Sequence, residues 1–222
     1  MLKTTFCLIV ITVCAIFVNA QTPVDRDDNQ QWNDLQVTVP VAKKVDLVLT
    51  GTLRLGKNIT RVQDARAGGG FVIKPFKDFS FSPSYAFIEA RNSSGVFKRE
   101  HRYVFYVRYK FPIKSFGLIH RSQFEYRDRQ PPTRDSWRYR PSLTFEKDLP
   151  QDFFIKKAKF FITEEPFYDG GLNRWSRNRF SVGINKTINK KLSLDIYYLR
   201  QNDGFSIPGD LNVIGTTWRV KL

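Results

Sequence analysis

Cysteine occurs at only two positions, Cys7 and Cys14, and both fall in the first twenty residues. Those residues are expected to be a cleaved signal peptide. Lys3 supplies a positive n-region, residues 6–18 (FCLIVITVCAIFV) form a short apolar run, and the small-residue site VNA at 18–20 precedes Gln21. The run falls short of the ~20 residues a spanning helix needs, and Cys14 lacks the small residues of a lipoprotein site before it. A mature chain without cysteine has no disulfides, no thiol catalysis and no cysteine-ligated metal. With only two histidines as well, no metal centre and no cofactor is expected. After residue 20 no apolar stretch reaches helix-spanning length. Passage through a membrane would therefore require a barrel.

Positive charge and aromatic rings are plentiful. The net charge is +15, or +14 once Lys3 is removed, and aromatics make up 15% of the chain. The bases are interleaved with aromatics instead of clustered on one element, and with export this excludes nucleic acid as the expected partner. Residues 101–111 (HRYVFYVRYKF) show the pattern. Tyr103, Phe105, Val107, Tyr109 and Phe111 take one parity, while Arg102, Tyr106, Arg108 and Lys110 take the other. In a strand those sets face opposite ways.

Eleven such runs follow one another: 33–41, 45–55, 64–75, 79–90, 100–111, 116–127, 137–146, 157–165, 174–184, 191–200 and 212–222. They are 9 to 12 residues long, the length of a tilted membrane-crossing strand and longer than an average soluble one. The connections alternate in apparent size. Lys43-Lys44, PFKD (75–78), PIKS (112–115), KDLPQD (147–152) and NKTINK (185–190) read as tight turns. GKNITRVQ (56–63), NSSGVFKR (92–99), DRQPPTRDS (128–136), PFYDGGLN (166–173) and QNDGFSIPGD (201–210) read as longer polar loops. The expectation is an all-β, closed antiparallel transmembrane β-barrel with short periplasmic turns and longer extracellular loops. Because bacterial barrels close with even numbers, ten or twelve strands are expected. Either the weak first run is not a full crossing, or residues 21–32 hide another. The expected division is a signal peptide (1–20), a polar segment (21–31) and one barrel domain (32–222).

A soluble barrel alternates too, so charge must orient the faces. The apolar parity carries Leu47, Leu49, Leu53, Phe79, Phe81, Tyr85, Phe87, Trp137, Tyr139, Leu143, Phe145, Phe180, Val182 and Ile184. The other parity carries roughly sixteen Lys or Arg and six Asp or Glu, counted over strands of period two. The bases include Arg54, Arg66, Lys74, Arg102, Arg108, Lys110, Arg121, Arg138, Arg140, Arg177, Arg179, Arg219 and Lys221; the acids include Asp46, Glu125, Glu146 and Asp195. A base facing lipid at the midplane costs about 2–4 kcal/mol, falling to ~0–1 near the interfaces. Glu89, Glu164 and Arg174 break the rule, and all three are expected at the long-loop ends of their strands. The aromatics should therefore face lipid and the arginines the lumen. The last run ends on GTTWRVKL, and Gly215 with Trp218, Val220 and Leu222 has the form of an outer-membrane assembly signal.

The order of motifs resembles the domain-of-unknown-function 2490 family of small bacterial outer-membrane barrels. The resemblance rests on QWNDLQVTVPVAKKVDLVLTGTLRL (31–55), ARAGGGFVIKPFKDFSFSPSYAFIEAR (65–91), REHRYVFYVRYKF (99–111), FEYRDRQPPTRDSWRYRPSLTFEKDL (124–149) and EEPFYDGGLNRWSRNRFSVGINKTINKKLSLDIYYLRQ (164–201). Residues 150–160 fit it loosely. It implies a fold and an outer-membrane location in a Gram-negative-type cell, and it carries no activity.

Three constellations bear on chemistry. The cationic lumen (Arg102, Arg108, Arg121, Arg138, Arg140, Arg177 and Arg179) is read as a packed, salt-bridged interior, with a narrow path for anionic solutes as the alternative. RWSRNRF (174–180) is expected to set Trp175, Arg177 and Arg179 on the lumen side, able to pair with Glu125, Glu146 or Glu165. His120 and Ser122 share one face, the outward one. An outward His–Ser pair resembles the active site of the outer-membrane lipid A deacylase family, but the orienting acid is absent: Glu146 points inward and Asp135 sits in a loop. GGG (68–70) leads to no helix and is read as room for a bend or for neighbouring side chains. The sequons at Asn58, Asn92 and Asn185 would matter only in a eukaryotic secretory chain. The expected partners are outer-membrane lipid and lipopolysaccharide, the barrel-assembly machinery and, on the alternative reading, an anionic solute. A monomer is expected.

Overall fold

The computed structural model describes residues 27–92, 94–150, 153 and 155–222. The signal-peptide reading, with Cys7 and Cys14, lies outside the described residues. Period-two alternation runs through nearly all of the rest, and the elements are strands: β1 (Asp27–Ala42), β2 (Val45–Gly56), β3 (Arg61–Phe76), β4 (Phe79–Arg91), β5 (Phe97–Phe111), β6 (Gly117–Arg129), β7 (Ser136–Asp148), β8 (Ala158–Asp169), β9 (Arg174–Thr187), β10 (Leu192–Asp203) and β11 (Asp210–Lys221). Each pairs antiparallel with its neighbours in sequence, and β1 closes against β11 into a barrel. Closure leaves no unpaired edge.

The strand number corrects the expected ten or twelve. There are eleven strands, and the closing pair is parallel, from Asp27 opposite Asp210 to Thr38 opposite Lys221. The reason is topological. In an up-and-down sheet with an odd number of strands, the first and last run the same way, so they can only close in parallel. β1 also starts five residues before the expected barrel boundary at 32. Its opening DDNQQ is polar and reads as a loop, but an inward polar row is what this barrel interior requires: Asp28 and Gln30 are buried.

Connections 57–60, 92–96, 130–135, 170–173 and 204–209 form one rim, called upper below; 43–44, 77–78, 112–116, 149–157 and 188–191 form the lower rim. The expected contrast of loop lengths is absent. The supposed long loops are partly strand, because β3, β5 and β8 continue past their apolar stretches with residues that still pair across the ladder. The longest connection, 149–157, lies at the lower rim, where KDLPQD reads as a tight turn.

The faces are sorted opposite to a soluble protein. Among the described residues nine apolar side chains are buried against fifteen polar or charged ones, while Leu49, Phe71, Tyr103, Phe124, Trp137, Phe180, Ile196, Ile214 and Trp218 are exposed on the outward parity. Among the described residues the one apolar cluster inside is small: Trp32, Leu199, Leu211 and Val213, with Tyr197 packed on it. Gly70 shows why the glycine run sits where it does. A Cβ there would stand 2.3 Å from the Pro83 carbonyl oxygen and 2.5 Å from the Ser84 Cβ, so only glycine lets β3 lie this close to β4. Glu164 corrects a second expectation. It points outward from the middle of β8, not from its end, and accepts a hydrogen bond from Asn178 Nδ2 at 2.5 Å.

Candidate functional site

The lumen is built from the inward parity of each strand. Arg102 and Arg108 come from β5, Arg121 from β6, Arg138 and Arg140 from β7, and Arg177 and Arg179 from β9; the register places all seven inside. In the upper half they meet carboxylates in one continuous chain. Arg127 bonds Glu100 at 2.5 Å, Glu100 bonds Arg102 at 2.5 Å, and Arg102 approaches Glu125 at 3.8 Å. Glu125 then bonds Arg140 at 2.6 Å, Arg140 bonds Glu165 at 2.9 Å, and Glu165 bonds Arg121 at 2.5 Å. The chain crosses β5 to β8, and the Glu125 side chain at its middle is 1% exposed. Arg138 pairs with Asp169 at 2.7 Å, and Arg177 with Asp203.

Two arginines are held differently. Among the described residues no carboxylate lies within 4.0 Å of Arg54 or Arg179. The Arg54 guanidinium lies 3.6 Å from the Trp32 ring centre; that of Arg179 lies 4.8 Å from Trp32 and 4.8 Å from Phe167, and its Nε donates to Gln201 Oε1 at 2.8 Å. Arg140 also stacks on Phe167, at 4.2 Å. Desolvated cation–π contacts of this kind contribute up to about 2 kcal/mol each. They tie β9 across the lumen to β1.

Below this layer the interior opens. Arg108, Arg219 and Lys221 are exposed, and a cavity of about 310 Å³ lies between β3 and β6. Buried inward side chains thus crowd the upper half, and the lower half forms a cup.

Several partners were not legible in advance. The inward acids comprise Asp28, Asp34, Asp46, Asp64, Glu100, Glu125, Glu146, Asp148, Glu165, Asp169, Asp195 and Asp203, so the cationic excess is smaller than the sequence count gives. Continuing each strand's parity past its apolar stretch would have found Asp28, Asp169 and Asp203. Trp175 is a correction. A bulge at Phe167/Tyr168 shifts the register by one, so Trp175 pairs with Tyr168 and points outward, 55% exposed, against Tyr168 and Tyr139. Phe167 takes the lumen position instead.

His120 Nε2 and Ser122 Oγ are 3.0 Å apart on the outward face, and Ser122 Oγ is 3.1 Å from the Tyr139 hydroxyl. Among the described residues no carboxylate pairs with His120 within 4.0 Å. In β11, Gly215 faces inward beneath Tyr197, whose Cζ would stand 2.0 Å from a Cβ there. Trp218 and Val220 alternate outward, and the Leu222 N–H donates to Thr38 O at 3.0 Å.

The family model described as "Protein of unknown function (DUF2490)" matches residues 29–210. No curated protein matches the chain in sequence. Among solved structures the chain is similar to the anion-selective porin from Comamonas acidovorans, at 10% identity and a TM-score of 0.41, over 81% of this chain and 54% of the porin. The chain thus spans about half the porin's length.

Proposed function

The chain belongs to the protein family of unknown function DUF2490, and we propose that it is a sealed outer-membrane barrel with a structural or interaction role. The outward face is apolar around the circumference and the inside is charged, the arrangement a bilayer imposes. The lower rim faces the periplasm on this reading, and the outward Trp218, Val220 and Leu222 of β11 are what the barrel-assembly machinery would engage. The barrel acts as a monomer in contact with outer-membrane lipid and lipopolysaccharide.

The observation that carries the sealed reading is the unbroken Arg–Glu chain from Arg127 to Arg121, with Glu125 at its buried centre. A path for anionic solutes would have to pass that layer, and each of its guanidiniums already has a carboxylate partner, Arg121 through one arm only. The lipid-modifying reading has the His120–Ser122 contact but lacks an acid on the histidine, and without one the imidazole is neither oriented nor stabilised as a cation.

Planar-bilayer recording tests the proposal. The purified, refolded protein should show no steady conductance, whereas the double variant Arg140→Ala/Glu165→Ala, which removes the middle of the seal, should show discrete openings. Steady anion-selective current in the unaltered protein would instead support a pore, above all if charge reversal at Arg177 and Arg179 changed its selectivity.

A further inference from the structure

We propose that the lower cup is a binding site for a phosphate-type oxyanion, held between Arg108 and Arg121. Arg108 on β5 and Arg121 on β6 are direct cross-strand partners on the inward face. Like charges in that position repel. The same two strands carry a second such pair, Arg102 opposite Arg127, and there the chain supplies its own anion: Glu100 bonds both guanidiniums at 2.5 Å. The lower pair has no equivalent. Arg121 sends one arm to Glu165 at 2.5 Å, and Arg108 has no carboxylate within 4.0 Å among the described residues. Where the bridging carboxylate would be, there is a cavity of about 310 Å³.

The lining fits an anion with several oxygens. Lys74, Ser80, Ser82 and Tyr106 border the cavity together with the two arginines; Asp78 also borders it, and Lys74 is paired with Asp46. Guanidinium forks match phosphate geometry, and the three hydroxyls add donors that a monoatomic ion would leave unused. The surroundings steer anions to this end. The five lower connections hold eight lysines, no arginine and two aspartates, whereas the upper ones hold only Lys57, Arg134 and Asp135 as charged residues. One-signed charge around a concave, low-dielectric mouth raises the local concentration of the opposite ion. The site goes beyond the sealed-barrel reading and does not require it, since Arg108 and the cavity lie outside the ion-pair chain, which the site meets only at Arg121.

The test is isothermal titration of the purified full-length protein in a zwitterionic detergent at constant ionic strength. Inorganic phosphate is used in one arm and glycerol phosphate, a lipid-headgroup fragment, in the other. Saturable binding is expected in at least one arm, and the preferred arm identifies the source as free ion or headgroup. Arg108→Gln should weaken it at least about tenfold, as loss of a charge-assisted hydrogen-bonded partner implies. Arg108→Lys, which keeps the charge without the fork, should fall between, and Arg99→Gln at the upper rim should bind as the unaltered protein does. Circular dichroism checks that each variant is folded; should Arg108→Gln fail, the lysine variant decides. Absence of saturable binding in both arms, or full affinity in a folded Arg108 variant, overturns the proposal.

Discussion

Glu125 and Arg179 illustrate two ways in which this barrel accommodates buried charge. Glu125 sits between Arg140 and Arg102, and removing it takes one of two carboxylate partners from each of these buried guanidiniums, leaving Arg140 with Glu165 and Arg102 with Glu100. Breaking one side of a buried ionic cluster typically costs about 3–5 kcal/mol. Glu125→Ala should therefore lower the unfolding free energy of the refolded protein by that order in a denaturant titration, and a loss below ~1 kcal/mol would mean the network behaves like a surface pair. Arg179 is held by ring faces and by Gln201 instead of a carboxylate. Period-two counting locates such arginines, because it fixes which side of the sheet they leave from. It does not identify their partners, since a contact such as Arg179 to Trp32 joins strands far apart in sequence.

Among the elements, the strands themselves were the most legible. All eleven apolar–polar runs are strands, because alternation is a local signal that the pleat reads directly. What escaped was non-local or irregular. The bulge at Phe167/Tyr168 turns Trp175 outward, and nothing in RWSRNRF announces an extra residue. The polar ends of β1, β3 and β8 resemble loops because their inward rows are charged and their outward rows carry few apolar residues there. The parallel β1–β11 seam follows from the odd count, which local patterns leave open. Disulfide trapping tests that seam, with Cys7 and Cys14 replaced by serine. Cysteines at Asn33 and Thr216, or at Val37 and Val220, should cross-link, because both pairs are in register. A cross-link between cysteines at Val37 and Asn212, the pair an antiparallel seam through Asn33 and Thr216 would create, would contradict the topology.

For the molecule as a whole, the decisive feature is that apolar side chains line the outside and ionic groups the inside. Ile214 is 60% exposed while Glu125 is nearly inaccessible, a distribution that in water would leave most of the apolar surface unburied and favour aggregation. In a bilayer the same distribution satisfies both phases. The four tryptophans divide between the two environments: Trp137, Trp175 and Trp218 are exposed on the outside, and Trp32 is buried under Arg54 and Arg179. Fluorescence of single-tryptophan variants refolded into vesicles with brominated acyl chains tests this sorting directly. Emission from Trp137, Trp175 and Trp218 should be quenched relative to unbrominated vesicles, and that from Trp32 should be unchanged. Quenching of Trp32 with the other three unaffected, or a protein that stays dispersed in buffer without lipid or detergent, would contradict the account.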